Sequence, residues 1–337
     1  MPRSLGGVEA DPATAGRIVE EVAYADGSAG WCVMLAAQSA AFAGFLEEAS
    51  AQEIWGHGGI VAGTARPIGK AIPASAPEDG FVISGTWPFA SGSRHADWFA
   101  AECTIYDGDE TRKDEQGNDV TRLLLVPREQ VTIHDTWHTS GLRGTSSNDF
   151  SIDGAFAPGR RGFQVMVTPP MHPWGLYQAF PLIFMNHGSH AIGIARHALE
   201  AAREAVGGKT GWGGVPVRDT GRAQEAIAQA TAQVESARTY LYETTGKLWD
   251  AVEAGDAENG LLRSRTRLAA SHAASASLQA VDLLHRTLGT TPLFSGSPVE
   301  REFRDIHAAA AHVMVGPLTY EAAGRVELGM EAAFPLF

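Results

Sequence analysis

The chain has 337 residues, 44% hydrophobic and 19% charged, so it can bury a substantial core and exceeds the size at which one core usually stops growing. Its formal net charge of −13, with no lysine and arginine cluster, excludes the basic surface that nucleic-acid binding requires. No run approaches the about 18 apolar residues of a membrane helix, and the N-terminus lacks a signal-peptide core. The two cysteines form no spacing motif. We therefore expect a cytoplasmic protein with reduced thiols and no membrane or nucleic-acid partner.

The first half of the chain changes from helical to strand-like composition. Residues 11–55 are rich in alanine, and their larger apolar side chains recur at helical spacing, which predicts helices. Residues 57–163 contain Gly, Pro and alternating apolar residues, which predict a β domain, with strands near 81–87 and 123–126. The charged loop 107–119 is typical of a solvated connection in a hairpin.

Alanine dominates again after the prolines near residue 170. Helices are predicted over about 183–206, 220–254 and 258–288, and a last one over 300–312. Small residues on several helix faces favour close packing in a bundle. The order helices, sheet, helices argues against a doubly wound α/β sheet, and no G-x-G-x-x-G motif follows a strand.

Two polar stretches of the β region could contact a ligand. The segment 85–98, GTWPFASGSRHADW, turns on glycine and can present the Ser91 hydroxyl and backbone N–H groups, although an ordinary β-turn accounts for the same composition. The segment 137–149, WHTSGLRGTSSND, is rich in side-chain donors, which are also common in loops. Each stretch is therefore a weak signal when taken alone.

Near the C-terminus, His307 and His312 lie in an alanine-rich part of the predicted last helix. A buried histidine is usually a satisfied core group, but imidazole is also the side chain best suited to move a proton near neutral pH. The twelve histidines are scattered and form no H-E-x-x-H motif, so we expect no metal site.

Five ordered segments together resemble the acyl-CoA dehydrogenase superfamily over nearly the whole chain, most strongly its flavin-dependent monooxygenase branch. They are residues 26–31 (DGSAGW), 85–98, 137–149, 288–292 (LGTTP) and 301–312 (REFRDIHAAAAH). The resemblance implies an α+β multidomain fold with shortened N-terminal helices (1–58), a middle β-barrel (59–170) and a C-terminal four-helix bundle (171–337). It also implies a homotetramer with flavin between barrel and bundle. Relatives begin about one helical segment earlier, so a shortened form or a misassigned start is expected.

The resemblance assigns roles to individual residues. Ser91 is expected to place its hydroxyl at flavin N5, Trp137 to lie against the isoalloxazine, and His312 to face the flavin C4a region. The other implied cofactor-binding residues are Arg143, Thr145, Lys209 at the flavin phosphate, and Gly289 and Thr290 across a subunit boundary. Trp31 and Leu35 are expected in the substrate pocket.

One position bears on the reaction type. Many acyl-CoA dehydrogenases carry a glutamate base shortly after the Arg-Asp of the last conserved helix, whereas this chain has Val313 there. The resemblance therefore favours the oxygenase component of a two-component monooxygenase. A flavin reductase would supply reduced FMN, O2 would give a flavin C4a-(hydro)peroxide, and a small, aromatic substrate would be hydroxylated. An FAD-dependent acyl-CoA dehydrogenase is the first alternative, and an inactive or scaffold member of the fold is the second.

Overall fold

The computed structural model of the chain describes residues 1–76 and 78–333, with side chains for all of these except residues 180, 181 and 212. Its helices, in chain order, are α1 (Pro12–Ala25), α2 (Gly27–Ala40), α3 (Glu48–Trp55), α4 (Met185–Gly208), α5 (Gly221–Glu253), α6 (Gly260–Thr287), α7 (Pro298–Ala310) and α8 (Pro317–Glu327). Side chains cap several of them: Asp11 accepts the backbone N–H of Thr14 at 2.9 Å, and Thr220 and Asn259 begin α5 and α6 in the same way.

The strands lie between α3 and α4. They are β1 (Val61–Ala74), β2 (Gly80–Ala90), β3 (Trp98–Asp107), β4 (Glu110–Thr111), β5 (Thr121–Pro127), β6 (Thr132–His134), β7 (Asn148–Pro158) and β8 (Gly162–Phe163). The sheet order is β6-β7-β2-β1-β3-β5-β8, with β4 paired to β3. The β1–β3 pair is parallel and the other pairs are antiparallel, so the sheet is mixed.

The described chain divides into two compact units. The first contains residues 1–9, 35–138 and 145–177, and the second contains residues 10–34, 139–144 and 178–337. The predicted domains 1–58, 59–170 and 171–337 stay a prediction.

The core of the first unit is aromatic and lies on the sheet. Trp87 stacks on Phe150 with ring centroids 5.1 Å apart, and Phe99 packs against Phe150 at 5.0 Å. The indole N–H of Trp87 donates to the carbonyl oxygen of Glu102 at 2.8 Å. A Cβ at Gly69 would lie 2.0 Å from the Trp87 ring, so only glycine allows this packing. The sheet is thus fixed around one buried indole.

The core of the second unit consists largely of alanine on α4, α5 and α6. Ala269, Ala270, Ala273 and Ala274 of α6 are all buried. A Cβ at Gly188 of α4 would lie 3.0 Å from the Cα of Ala270, so the two helices approach closely. Small side chains allow this approach and leave little room between the helix backbones.

The main sequence predictions of secondary structure are confirmed. Helices occupy 12–40 and 48–55, the strands near 81–87 and 123–126 are β2 and β5, and the loop 107–119 is an exposed connection between β3 and β5. The long helices at 185–208, 221–253 and 260–287 lie within a few residues of their predicted bounds.

The C-terminal region departs from the prediction. The helix predicted over 300–312 ends at Ala310, and α8 follows it. His312 lies beyond α7, where it caps a short 3-10 turn, and His307 is exposed rather than buried. The alanine run contains no residue that signals the end of a helix, so the end of α7 was not predicted. The helix α8 was not predicted because it is short and only weakly amphipathic.

The predicted absence of a continuous run of about 18 apolar residues agrees with the sequence, because Gln38 and Ser39 interrupt the apolar stretch near residues 27–45. Residues Gly27–Phe45 form a 19-residue helical stretch that is long and apolar enough to cross a membrane, a test that core helices of soluble proteins also pass.

Candidate active site

Three hydroxyl groups of the first unit form a connected cluster, the hydroxyl cluster of Ser91, Ser147 and Thr145. The Oγ atoms of Ser91 and Ser147 are 2.6 Å apart, and Ser147 Oγ lies 2.7 Å from Thr145 Oγ1. The backbone N–H of Gly92 donates to the carbonyl oxygen of Thr145 at 2.7 Å. Strands β2 and β7 pair through Ala90 and Asn148, which brings the two loops together. Ser91 is half-buried, so its hydroxyl lies at the accessible end of the cluster.

Two residues beside this cluster adopt a backbone conformation that L-residues rarely occupy. Phe89 has φ 67° and Ser146 has φ 45°, and neither is glycine. Each such residue costs on the order of 1–3 kcal/mol and persists when the surroundings enforce it. Here Ser93 Oγ donates to the carbonyl oxygen of Ser146 at 2.7 Å. Strain of this kind is concentrated at functional sites, which marks this end of the sheet.

Aromatic side chains flank the same loops. The Phe89 ring is 55% exposed and meets the half-buried Trp137 ring edge-on, with centroids 6.3 Å apart. The backbone N–H of Trp137 donates to Asn148 Oδ1 at 3.1 Å, which ties its segment to the start of β7. A fixed hydroxyl and accessible aromatic faces suit a flat, polar-edged ring system such as a flavin.

The second unit contains a cluster of histidines around an indole, the histidine cluster of Trp31, His187, His190 and His312. Trp31 is buried, and the centroids of the three imidazole rings lie 5.5, 5.2 and 5.5 Å from it, each nearly perpendicular to the indole. The His187 and His312 rings stack at 4.4 Å. Across the described residues, no group of three or more His, Cys, Asp or Glu side chains is placed to hold a metal ion.

These histidines are held neutral at pH 7. Burial lowers the pKa of His190 to about 4, and burial with the nearby Arg267 charge lowers that of His312 to about 4. Burial, then the neighbouring His312, lowers the pKa of His187 well below its usual value. His190 Nε2 lies 2.7 Å from the carbonyl oxygen of Gly27 and therefore donates to it.

A hydrogen bond also fixes the tautomer of His312. Its Nδ1 accepts the backbone N–H of Met314 at 3.3 Å, so the proton of the neutral ring lies on Nε2. His312 consequently presents a donor, rather than a lone pair, on the side away from its own turn.

The structure brings Lys209 to the loop that carries Gly289 and Thr290. Lys209 Nζ donates to the carbonyl oxygen of Leu288 and to Thr291 Oγ1, both at 2.8 Å. Gly289 has φ 62°, which favours glycine, and it is exposed together with Thr290. An ammonium group with three N–H bonds can still donate to a further acceptor there.

The remaining residues named from the sequence are distributed over both units. Ser91, Trp137, Thr145 and the half-buried Leu35 belong to the first unit, whereas Trp31, Arg143, Lys209, Gly289, Thr290 and His312 belong to the second. Arg143 is exposed.

Sequence reasoning missed His187, His190 and the buried Arg267. His187 and His190 are spaced i, i+3 at the start of α4, a spacing that places two side chains on one helix face and could have drawn attention. Arg267 gave no such signal, because nothing in the local sequence shows which polar residue of an alanine-rich helix is buried.

Comparisons with known proteins show the family and the fold of the chain. Residues 185–317 match the family model described as acyl-CoA dehydrogenase, C-terminal domain. Indole-3-acetate monooxygenase of Pseudomonas putida is 30% identical over 98% of this chain and 83% of its own length. The oxygenase component of FADH(2)-dependent resorcinol hydroxylase from Rhizobium sp. is 30% identical over 93% of this chain and 79% of its own. The fold matches XiaF from Streptomyces sp., solved with FADH2 and glycerol, with a TM-score of 0.89 at 21% identity, over 99% of this chain and 86% of that one.

Proposed function

Since this chain belongs to the acyl-CoA dehydrogenase superfamily, in its flavin-dependent monooxygenase branch, we propose that it is the oxygenase component of a two-component monooxygenase that hydroxylates a small aromatic substrate. The hydroxyl cluster carries the proposal, because it holds Ser91 Oγ in one position beside accessible aromatic rings. Reduced FMN, or FAD in its place, is the cofactor, and a flavin reductase is the partner that supplies it.

Ser91, Trp137 and Thr145 would hold the flavin ring. The resemblance assigns Lys209 to the flavin phosphate, Gly289 and Thr290 to a flavin approached across a subunit boundary, and Arg143 to cofactor binding. Bound reduced flavin would supply the activation of O2 and the transfer of one oxygen atom to the substrate. The protein contributes orientation and exclusion of water. In the first unit, the Ser147 hydroxyl holds the Ser91 hydroxyl, so no reorganisation of that group is needed when the ring binds.

In the second unit, His312 positions a hydrogen-bond donor at Nε2. A neutral imidazole donor can hold a developing negative charge on oxygen without introducing a permanent charge of its own. The buried indole of Trp31 beside it provides an apolar surface for an aromatic substrate. Leu35 lies one helical turn beyond Trp31 on α2 and is the second apolar residue assigned to the substrate.

The dehydrogenase alternative is less well supported. Val313, which is 51% exposed, occupies the position where dehydrogenases carry the glutamate base. Both relatives described above are named as oxygenase or hydroxylase. Abstraction of a proton next to a thioester needs a carboxylate that this position does not provide.

We further propose a cytoplasmic homotetramer. Leu293 and Phe294, directly after the Gly289 and Thr290 loop, are 73% and 71% exposed. Adjacent exposed apolar side chains of this size favour contact with another protein surface. Light scattering of the wild type and of a Leu293→Ser, Phe294→Ser double variant tests this: the wild type should have the mass of four chains and the variant less. A monomeric wild type would exclude it.

Anaerobic titration with reduced FMN and reduced FAD tests the cofactor assignment. Ser91→Ala should weaken binding of the reduced flavin about 3- to 10-fold, since one hydrogen bond contributes roughly 0.5–1.5 kcal/mol. Ser84→Ala, on the same strand β2, is the control and should leave the affinity unchanged. Absence of flavin binding by the wild type would support the scaffold alternative, and tight binding of oxidised FAD would support the dehydrogenase.

His312→Ala tests the substrate-side role. At saturating reduced flavin, we expect hydroxylation to fall on the order of 100-fold, because positioned proton-handling groups contribute about 10²–10⁴. Binding of reduced flavin should stay within about 2-fold of wild type, since removal of His312 leaves the hydroxyl cluster intact. Unchanged hydroxylation in this variant would remove His312 from the mechanism.

A further inference from the structure

Arg267 of α6 is a fully buried cation without a counter-ion among the described residues. Its exposed fraction is 0%, and its guanidinium carbon lies 4.8 Å from the centre of the Phe184 ring. Nη2 lies 3.5 Å from Met314 Sδ, while Nε and Nη1 make no hydrogen bond to the part of the chain that the structure describes. Buried charges are normally paired, because an uncompensated ion loses several kcal/mol of hydration.

The side chains around Arg267 increase this imbalance. Burial lowers the pKa of Arg267 only to about 10, so the guanidinium stays charged at pH 7. His187 and His312 are near enough for its charge to lower their pKa values, and both are neutral. None of these neighbours supplies negative charge to Arg267.

Other buried polar atoms of α4 and α6 also make no hydrogen bond with the described residues. Ser264, Arg267 and Ser271 are spaced i, i+3 and i+7 and so share one face of α6, and the hydroxyls of both serines make no hydrogen bond with described residues. On α4, which packs against α6, both ring nitrogens of His187 and Oδ1 of Asn186 are also buried and make no hydrogen bond with described residues. These five residues of the two helices thus contain buried polar atoms without a hydrogen bond to described residues, whereas about 90% of buried polar groups are hydrogen-bonded.

An aromatic surface adjoins this polar face. His187 contributes to both, because its ring stacks on His312 at 4.4 Å and lies 5.5 Å from the Trp31 ring. A ligand that used both surfaces would therefore have an aromatic body and an acidic group.

We propose that Arg267 binds the carboxylate of an aromatic carboxylic acid, whose ring lies beside Trp31 and His312. The Nε and Nη1 N–H groups lie on two different edges of the guanidinium, and an N–H of Nη2 completes each edge. Either edge matches the two oxygens of a carboxylate. His187 and the Ser264 and Ser271 hydroxyls are further donors on the same surfaces. The inference deepens the proposed function by naming the substrate class. Binding of the carboxylate is independent of that function, whereas the role of the bound acid as substrate rests on it.

A flavin phosphate is the other anion that a monooxygenase of this type would encounter. We assign the carboxylate because the partner-free atoms adjoin the histidine cluster, whereas Lys209, the cation assigned to the phosphate, lies at the other end of α6, beside Leu288. The two sources are separable by experiment, since riboflavin has no phosphate.

The test measures binding without flavin, by calorimetry, to matched pairs of aromatic acids and their neutral amides: indole-3-acetate, phenylacetate and benzoate against indole-3-acetamide, phenylacetamide and benzamide. In the wild type, we expect at least one acid to bind about 10- to 100-fold more tightly than its amide, as charge-assisted hydrogen bonds contribute about 1.5–3 kcal/mol. Arg267→Met should abolish this preference, and Arg267→Lys should retain part of it because the charge remains without the fork. Arg265→Met, on the exposed side of the same helix, is the control and should keep the full preference.

Three results would overturn the proposal. One is that no acid binds the wild type more tightly than its amide, and another is that Arg267→Met keeps the preference. The third is that Arg267→Met weakens binding of FMN but not of riboflavin, which would assign Arg267 to the phosphate. Arg267→Met should fold, because methionine is apolar, similar in length and flanked by Met314 and Phe184; its melting temperature should equal or exceed that of wild type. If the wild type did not bind reduced flavin but still preferred the acids to their amides, the proposed function would be rejected and the carboxylate site at Arg267 would stand.

Discussion

Two buried charged groups of the second unit, Glu20 and Arg267, differ in whether the protein supplies them with hydrogen-bond partners. Glu20 of α1 is fully buried, and its carboxylate accepts hydrogen bonds from Arg196 Nη1 at 2.6 Å, Arg238 Nε at 2.8 Å and the Tyr242 hydroxyl at 2.6 Å. Arg267 of α6 is equally buried but has no such partners among the described residues. A charge that the protein itself neutralises holds α1, α4 and α5 together, whereas one that it does not neutralise is suited to a ligand.

The comparison predicts opposite effects of removing the two charges. Glu20→Ala should lower the free energy of unfolding by about 3–5 kcal/mol, because it takes a fully buried carboxylate away from Arg238 and the Tyr242 hydroxyl, while Arg196 keeps its bond to Glu21. Arg267→Met should cost nothing by the same measurement, urea denaturation followed by circular dichroism. Glu21→Gln is the control, since Glu21 is exposed and pairs with Arg196 from the solvent side. A loss below about 1 kcal/mol for Glu20→Ala would show that the hydrogen bonds to Glu20 do not stabilise the fold, and the contrast with Arg267 would then fail.

Acid pH should destabilise the histidine cluster through protonation of His190. In the unfolded chain His190 has its ordinary pKa of about 6.5, and in the folded chain about 4, so the unfolded state binds more protons between these values. Stability is then fully present above about pH 6.5 and falls as the pH decreases towards 4, by about 3 kcal/mol from His190 alone.

His190→Gln should flatten this pH dependence, because an amide can still donate to the carbonyl oxygen of Gly27 but does not titrate. Unfolding curves at pH 7, 6, 5 and 4 give the slope. His307→Gln, at an exposed position, is the control and should retain the wild-type slope. An unchanged slope in His190→Gln would mean that His190 titrates with its ordinary pKa.

The smallest expected effect on stability concerns the hydroxyl cluster of the first unit, whose members form hydrogen bonds to one another. Ser147→Ala removes the link between Ser91 and Thr145 and leaves the buried Thr145 hydroxyl with fewer partners. We expect a stability loss of about 1–2 kcal/mol, together with weaker binding of reduced flavin, because Ser91 is no longer held. Ser84→Ala, which loses only the hydrogen bond from the backbone N–H of Gly154, should leave the affinity for reduced flavin unchanged. A stable variant with unaltered affinity would show that Ser91 needs no support.

Sequence patterns were sufficient where the signal is local. The buried strand β5 and the long helices α4, α5 and α6 followed from apolar spacing and turn residues, and they begin and end within a few residues of the predicted positions. Boundaries without a local signal were missed, as with the end of α7 at Ala310 inside an alanine run and the short α8 after Pro317.

The sequence by itself determined the order of helices and strands and the resemblance to a flavin-dependent family, because both depend on residues close together in the chain. Tertiary structure alone decided which polar groups are buried and which have partners. Trp31, His187 and His312 meet only when α2, α4 and the turn after α7 pack together. Burial and unsatisfied hydrogen bonds are properties of the space between segments, so one arginine of α6 cannot be distinguished from its neighbours until the helices have enclosed it.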